Sequence, residues 1–303
     1  MNYLYGPVIS RRLGTSLGVD ILPLKTCSFD CIYCQLGATP AKTIERREYV
    51  AVEPVLDEVK QYLKSGGPEP DYITFSGSGE PTLNTGIGNL VREIKSLRGP
   101  KVAVLTNSST ISLPEVRESL CAADLVVPSL DAATQAAFEK VNRPYEGVMV
   151  EDIVDGLVAF RKEFEGEMRL EVLLVEGVND SDSDLSAIKD AVRRIKPDSI
   201  DLNTVARPPA EDVRPLRPEK LKKISDYLGA HEVAVSGKKH TGVPGEAAKK
   251  IVDLLRRRPC SFAEVCSSLG LATDEAAAAL AALSRKGYVR NLDGRKDGFY
   301  RAK

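Results

Sequence analysis

Apolar residues recur along this chain in two alternating rhythms. Val55, Leu56, Val59 and Leu63 fall at helical spacing, and Tyr72-Ile73-Thr74-Phe75 then forms a β-rich run closed by glycines. The alternation continues with a predicted helix over 87–97, a strand over 101–106, and a helix from the 112 region to about 122. Ser112-Leu113-Pro114-Glu115 reads as a capping box with a proline in the first turn of that helix. A strand over 125–127, helices over 134–141 and 150–164, a strand over 170–175 and a helix over 184–195 follow. A strand over 200–205, a helix over 221–228 and a short strand over 233–235 complete the series. A first strand over 18–22 opens it. Such alternation predicts an α/β fold of parallel strands joined by helical crossovers, either a doubly wound sheet or a barrel. In both, chemistry sits at the carboxyl ends of the strands.

Three stretches break the rhythm. Residues 1–26, rich in glycine, read as a folded-over loop leading into the first strand. Residues 207–218 hold four prolines and read as a long irregular loop over the mouth of the sheet. Residues 236–245 have linker character, which divides the chain into domains at 1–240 and 245–303. The second piece reads as three short helices, over 247–257, 261–270 and 274–286. Ser261-Phe262-Ala263-Glu264 is a capping box for the second, and Thr273 caps the third. Strands over 288–290 and 299–301 flank a turn containing Asp293-Gly294. This order resembles a winged helix-turn-helix domain. Its third helix is poor in residues that read base edges, yet Lys and Arg outnumber Asp and Glu by 12 to 7 over 245–303. It suits phosphate tracking, as on a tRNA, or protein docking equally.

Composition narrows the class. With 303 residues, 43% hydrophobic and 28% charged, the chain reads as an ordinary globular protein, and a net charge of −1 gives no global pull toward nucleic acid or membrane. No apolar run reaches the ~20 residues of a spanning helix, and the N-terminus lacks a signal-peptide pattern. The expectation is a cytoplasmic protein with no membrane partner.

The chemistry concentrates in Lys25-Thr26-Cys27-Ser28-Phe29-Asp30-Cys31-Ile32-Tyr33-Cys34. Three soft thiolates at Cys-x3-Cys-x2-Cys on one loop can converge on a cluster of iron and sulfide, leaving one iron of a cubane open. Buried thiols, disulfides or zinc are the alternatives. Disulfides fit badly with six Cys in 303 residues and no secretory signal. A zinc site usually wants Cys-x2-Cys pairs and a fourth ligand, and none lies near in sequence.

Cys-x3-Cys-x-aromatic-Cys, with Tyr33 as the aromatic, resembles the signature of the radical S-adenosylmethionine (SAM) superfamily. The resemblance implies a partial (β/α)6 barrel and a [4Fe-4S] cluster on Cys27, Cys31 and Cys34. It also implies SAM bound at the open iron and cleaved reductively to a 5′-deoxyadenosyl radical. Gly77-Ser78-Gly79-Glu80-Pro81, closing the second predicted helix-connected strand, resembles the family's Gly-Gly-Glu-Pro motif for the SAM amino group, with one serine added. By that resemblance Gly77, Ser78, Gly79, Glu80 and Pro81 contact the cofactor, and Tyr33 lies against the adenine. Ser129-Leu130-Asp131-Ala132 resembles another family segment, which makes Asp131 a SAM contact; Asn107 sits at a comparable strand end. Asn179 and Asn203 follow later strands, where a turn role serves them equally well. Arg143 and Arg207, on loops leaving the mouth, suit either an anionic substrate or a surface ion pair. Cys121, Cys260 and Cys266 read as buried thiols, and His231 and His240 carry no pattern. No catalytic residue is assigned.

The run from Ser10 to Asp20 further resembles the iron–sulfur oxidoreductases related to tRNA wyosine synthases, over most of residues 3–235. Those enzymes carry a second cysteine trio before the signature; here the 26 residues before Cys27 contain no cysteine. The resemblance implies an external one-electron reductant of ferredoxin or flavodoxin type and a tRNA or nucleotide substrate. An activase making a radical on a protein substrate is a second enzymatic reading. An iron–sulfur-sensing regulator that binds nucleic acid is a third.

Overall fold

The computed structural model describes residues 3–10, 12–232, 247–292 and 298–302. The chain opens with β1 (Leu4–Ser10) and β2 (Gly14–Val19), followed by α1 (Val52–Lys64), β3 (Tyr72–Phe75), α2 (Ile87–Ser96) and β4 (Lys101–Thr106). Then come α3 (Pro114–Leu120), β5 (Leu125–Pro128), α4 (Gln135–Val141), α5 (Val150–Glu163) and β6 (Glu167–Leu174). The series ends with α6 (Asp182–Ile195), β7 (Ser199–Thr204), α7 (Pro218–Leu228) and β8 (His231–Glu232). The eight strands pair in strict chain order, β1 antiparallel to β2 and every later pair parallel. A sequential order has no reversal point, so the doubly wound alternative falls away and the sheet curls into a half-barrel.

Period-two alternation decides what each face of the sheet carries. In β4, Val102 and Val104 join the main core under the helices, while Ala103 joins a small inner cluster with Leu13, Leu125 and Val127. In β6, Met168, Leu170, Val172 and Leu174 are buried against the helices, and Arg169 and Glu171 alternate with them. The concave face is therefore largely polar: Ser16 and Thr74 share a hydrogen bond of 2.7 Å, and Glu171 pairs with Arg12. Among the described residues no helix is long and apolar enough to cross a membrane.

The last part of the chain holds α8 (Ala247–Arg257), β9 (Cys260–Ser261), α9 (Phe262–Leu269), α10 (Thr273–Arg285), β10 (Val289–Asn291) and β11 (Phe299–Ala302), with its three strands in the order β10-β11-β9. Ile251, Leu254, Val265, Leu280, Leu283 and Val289 form a separate core, which Val8 of β1 enters. Helices α8 and α9 pack on β1.

Several local expectations change. Residues 4–10 form a strand, although Gly6-Pro7 made the segment read as a loop; its bulge between Tyr5 and Val8 accommodates the proline. The first parallel strand spans Gly14–Val19, earlier than 18–22, because the chain beyond Val19 leaves the sheet for the cysteine loop. Ser112 does not cap α3: Pro114 at the first helical position makes Leu113 the N-cap. Thr273 likewise lies inside α10, with Ala272 as the N-cap. The Ser261–Glu264 capping box forms as expected. The 233–235 strand, the 236–245 linker, His240 and the Asp293-Gly294 turn lie outside the described residues.

Phe160 tests the packing of this core. It is fully buried and stacks on Phe164 with ring centroids 4.8 Å apart. Phe160→Ala is expected to lower unfolding free energy by about 3–5 kcal/mol in a urea titration, through lost transfer energy and a residual cavity.

Candidate active site

The cysteine loop has no regular structure, so its backbone must find partners elsewhere. The Lys25 N–H donates to Ser78 O at 2.7 Å, and the Glu80 N–H donates to Thr26 O at 3.0 Å. On the other side, Asp30 and Ile32 donate to Asn142 O and Val141 O at the end of α4, and Glu211 donates to Ile32 O. Thus the end of β3, the end of α4 and the irregular stretch after β7 grip the loop from three directions. Two backbone positions pay for the closeness. Lys25 sits at φ 61°, and a Cβ on Gly79 would lie 1.9 Å from Thr26 O.

Each of the three sulfurs receives a side-chain N–H from a different part of the chain. Asn107 Nδ2 donates to Cys27 Sγ at 3.5 Å, Asn142 Nδ2 to Cys31 Sγ at 3.4 Å, and Lys25 Nζ to Cys34 Sγ at 3.2 Å. Burial pushes the Cys27 thiol up to about 12 and the Cys31 thiol well above its ordinary value, with neighbouring cysteines adding to the rise. Burial opposes free thiolates, while the three donors favour electron-rich sulfur, the form that a metal-bound cysteine takes. Among the described residues no three His, Cys, Asp or Glu side chains close on a single ion. All six cysteines are free.

Two buried carboxylates organise the donors. Glu80, 2% exposed, accepts from Thr82 Oγ1 (2.6 Å), Thr106 Oγ1 (2.7 Å), Thr82 N (3.1 Å) and Asn107 N (2.6 Å). It ties the end of β3 to the end of β4, and so places Asn107 beside Cys27. Asp131 accepts from the Tyr33 hydroxyl, from Asn142 Nδ2 at 2.7 Å and from Leu173 N at 2.9 Å. Burial lifts its carboxyl to about 6 against the downward pull of those bonds. Burial, then Asp131, holds the Tyr33 phenol well above its ordinary value. A narrow crevice lies between Phe29, Tyr33, Asn107, Asp131, Phe138 and Asn142.

Other singled-out residues settle as follows. Ser78 donates to Asp20 through its N–H (3.1 Å) and Oγ (2.6 Å), and Gly77 has φ 144° with the Asp20 carboxylate where a Cβ would be. Pro81 opens a short 3-10 turn capped by Glu80. Asn179 is fully buried and bonds the backbone of Asp131, Leu173 and Val175, a turn role. Asn203 donates to Glu171 at 2.5 Å on the concave face. Arg143 pairs with Glu211, and Arg207 with Glu264 at 3.1 Å, so both make ion pairs. Cys121, Cys260 and Cys266 lie away from the loop; Cys260 is fully buried in the C-terminal core. Sequence reasoning missed Asp20 and Asn142, whose partners lie far along the chain, and Lys25, whose Nζ reaches Cys34 only nine positions on.

The family model described as the Radical SAM superfamily matches residues 21–187, more than half of the chain. The chain belongs to the radical SAM superfamily. Radical SAM proteins use a [4Fe-4S] cluster and SAM, and this chain is an enzyme of that type. It is 36% identical over 95% of its length to a Brachyspira hyodysenteriae protein named GTPase Obg, of which it spans only 43%. A UPF0026 protein of Methanocaldococcus jannaschii is 35% identical, with 78% of this chain and 76% of that protein covered. A probable dual-specificity RNA methyltransferase RlmN of Endomicrobium trichonymphae is 25% identical over 73% of this chain and 65% of its own. Among solved structures, SuiB of Streptococcus suis bound to S-adenosylmethionine superposes with a TM-score of 0.53 at 17% identity, covering 70% of this chain and 46% of that one. At that identity the likeness concerns the fold.

Two outcomes test the radical SAM site. Gly79→Ala is expected to push the cysteine loop off the β3 end, lowering iron bound per chain after anaerobic reconstitution. Retention of full iron would show that the loop does not need this approach. Lys25→Met removes a positive charge and a donor from Cys34, so the cluster should keep its iron and shift its potential negative by roughly tens of millivolts. A redox titration followed by electron paramagnetic resonance reads that shift.

Proposed function

We propose that this radical SAM enzyme abstracts hydrogen from a nucleotide-type substrate, RNA included, with its cluster held by Cys27, Cys31 and Cys34. The observation that carries the ligand assignment is the set of three separate N–H donors to three separate sulfurs at the carboxyl ends of the strands. When bound and reduced by one electron, the cluster and SAM supply a 5′-deoxyadenosyl radical. The chain's own residues position and shield. Glu80 orders the backbone of Gly77, Ser78, Gly79 and Pro81 against the SAM amine. Asp131 and Asn107 line the adjoining crevice, with Tyr33 on its floor toward the adenine. The stretch after β7 covers the loop through Glu211 and excludes water.

The nucleotide reading draws on the RNA methyltransferase named among the relatives, on the resemblance to wyosine synthases, and on the basic C-terminal part. The GTPase name is not carried over, since less than half of that protein is shared. In this reading residues 1–240 are the radical SAM core and 245–303 a winged-helix domain that presents phosphate-binding cations. Radical SAM enzymes need an external electron donor; a small ferredoxin or flavodoxin in a reducing cytoplasm suits six free cysteines.

The test is anaerobic reconstitution with iron and sulfide, reduction in the presence of SAM, and assay of 5′-deoxyadenosine. Wild type should produce it and Cys31→Ala should not. A well-formed, reducible cluster that never cleaves SAM overturns the enzyme assignment and favours a sensor.

A further inference from the structure

On the concave side of the barrel lies a cavity of about 150 Å³, beside the strand end that carries Gly77 and next to Gln35, the residue after Cys34. Among the described residues four arginines line it, Arg12, Arg207, Arg257 and Arg258, and no carboxylate does. They come from four places: the β1–β2 turn, the stretch after β7, the last turn of α8, and the residue beyond it. Hydroxyls of Tyr5, Ser10, Ser16, Thr74 and Ser76 fill much of the remaining wall.

The cations are held in place from behind. Arg207 pairs with Glu264 of α9, and its side chain is 12% exposed. Arg257 lies 3.6 Å from Asp20, with its guanidinium 4.7 Å from the Tyr5 ring centroid. Arg258 donates to Ser268 at 3.1 Å, while its buried Nε has no hydrogen-bond partner. Arg12 pairs with Glu171. Three of the four guanidiniums are thus fixed by a carboxylate and the fourth by a hydroxyl, and none of these partners is among the described residues that line the cavity. The buried Nε of Arg258 still lacks an acceptor, and a buried donor left unpaired is costly, so an anion in the cavity beside it is favoured.

We propose that this cavity is the phosphate subsite of the substrate, built jointly by the barrel and the C-terminal part. The assignment rests on the nucleotide reading above and names the group that anchors such a substrate. A doubly charged phosphate matches four guanidiniums better than a single carboxylate, and Arg offers it planar, bidentate donors. The cavity has room for a phosphate together with part of the group that carries it. A larger, open cleft of about 920 Å³ adjoins it through Arg257 and carries Arg256, Arg290 and Arg301 beside Asp20 and Asp253, so the positive charge continues outward with two carboxylates among it. The placement gives α8 a role in the reaction: its end closes the substrate side of the barrel with positive charge.

The experiment uses the full chain and a pyrimidine probe, which avoids any adenine-binding surface. Binding of uridine 5′-monophosphate, a short oligouridylate and uridine is measured by calorimetry at two salt concentrations. Either phosphate-bearing probe should bind in a salt-dependent way, and uridine at least about tenfold more weakly. The monophosphate binding better marks a terminal phosphate; the oligomer binding better marks a backbone phosphate. Arg258→Gln and Arg207→Gln, on different elements, should each weaken the phosphate-bearing probe about tenfold. If one variant fails to fold, the other still reads the site. Uridine binding as well as its phosphate, or both folded variants binding like wild type, overturns the proposal. SAM cleavage by wild type is scored separately: cleavage without phosphate binding sinks this subsite alone, and phosphate binding without cleavage sinks only the enzyme assignment.

Discussion

Everything at the mouth of this barrel depends on one backbone-to-backbone contact. Residues 25–26 and 78–80 exchange two hydrogen bonds, Lys25 N to Ser78 O and Glu80 N to Thr26 O. The contact is so close that residue 79 can carry no Cβ without moving the Thr26 carbonyl. An irregular loop of cysteines has no ladder of its own, so its position is borrowed from β3. Because β3 is a buried parallel strand with neighbours on both sides, the borrowed position is a rigid one.

From that contact the order spreads through two buried carboxylates. Glu80 could have been a ligand-facing acid, but its oxygens are taken up by Thr82, Thr106 and Asn107. Its charge is tolerated because four donors meet it, and the return is a fixed Asn107 amide at Cys27. Asp131 does the same for the opposite side, holding Tyr33 and Asn142, and Asn142 meets Cys31. The donors to sulfur are thus placed by acids that never touch sulfur themselves. Lys25 needs no such intermediary, since its left-handed backbone turns the chain back toward Cys34.

Much of this was legible in the sequence wherever the signal was local. The helix and strand periods of 52–228, the cysteine spacing and the glycine-rich strand end are all written within ten-residue windows; their order alone allowed a doubly wound sheet or a barrel, and the strand pairing decides for the half-barrel. What escaped was long-range or masked by a breaker. Asn142 is 111 positions from Cys31, so nothing near it announces a donor to sulfur. Asp20 holds Ser78 from 58 positions away. Strand β1 was hidden by Gly6-Pro7, and the Ser112 box by a proline that shifted the helix start one residue onward. In the second case two valid local rules competed, and the fixed φ of proline won over a side-chain cap.

The unread strand matters beyond bookkeeping, because β1 is where the two cores of the chain meet. Val8 enters the C-terminal cluster, while Leu4, on the same strand, sits in the main one. Tyr5, between them, bonds Ser76 at the mouth and lies under Arg257 of α8. A single strand therefore couples the packing of the C-terminal helices to the end of β3, which in turn carries the cysteine loop. Arg301 adds a second tie by donating to Leu36 O, two residues beyond Cys34. Swinging the C-terminal part away would break contacts to both the strand end and the loop at once. The physical consequence is that cations at the end of α8 keep a fixed relation to the cysteines, the condition under which an anchored substrate can present one particular carbon to a radical.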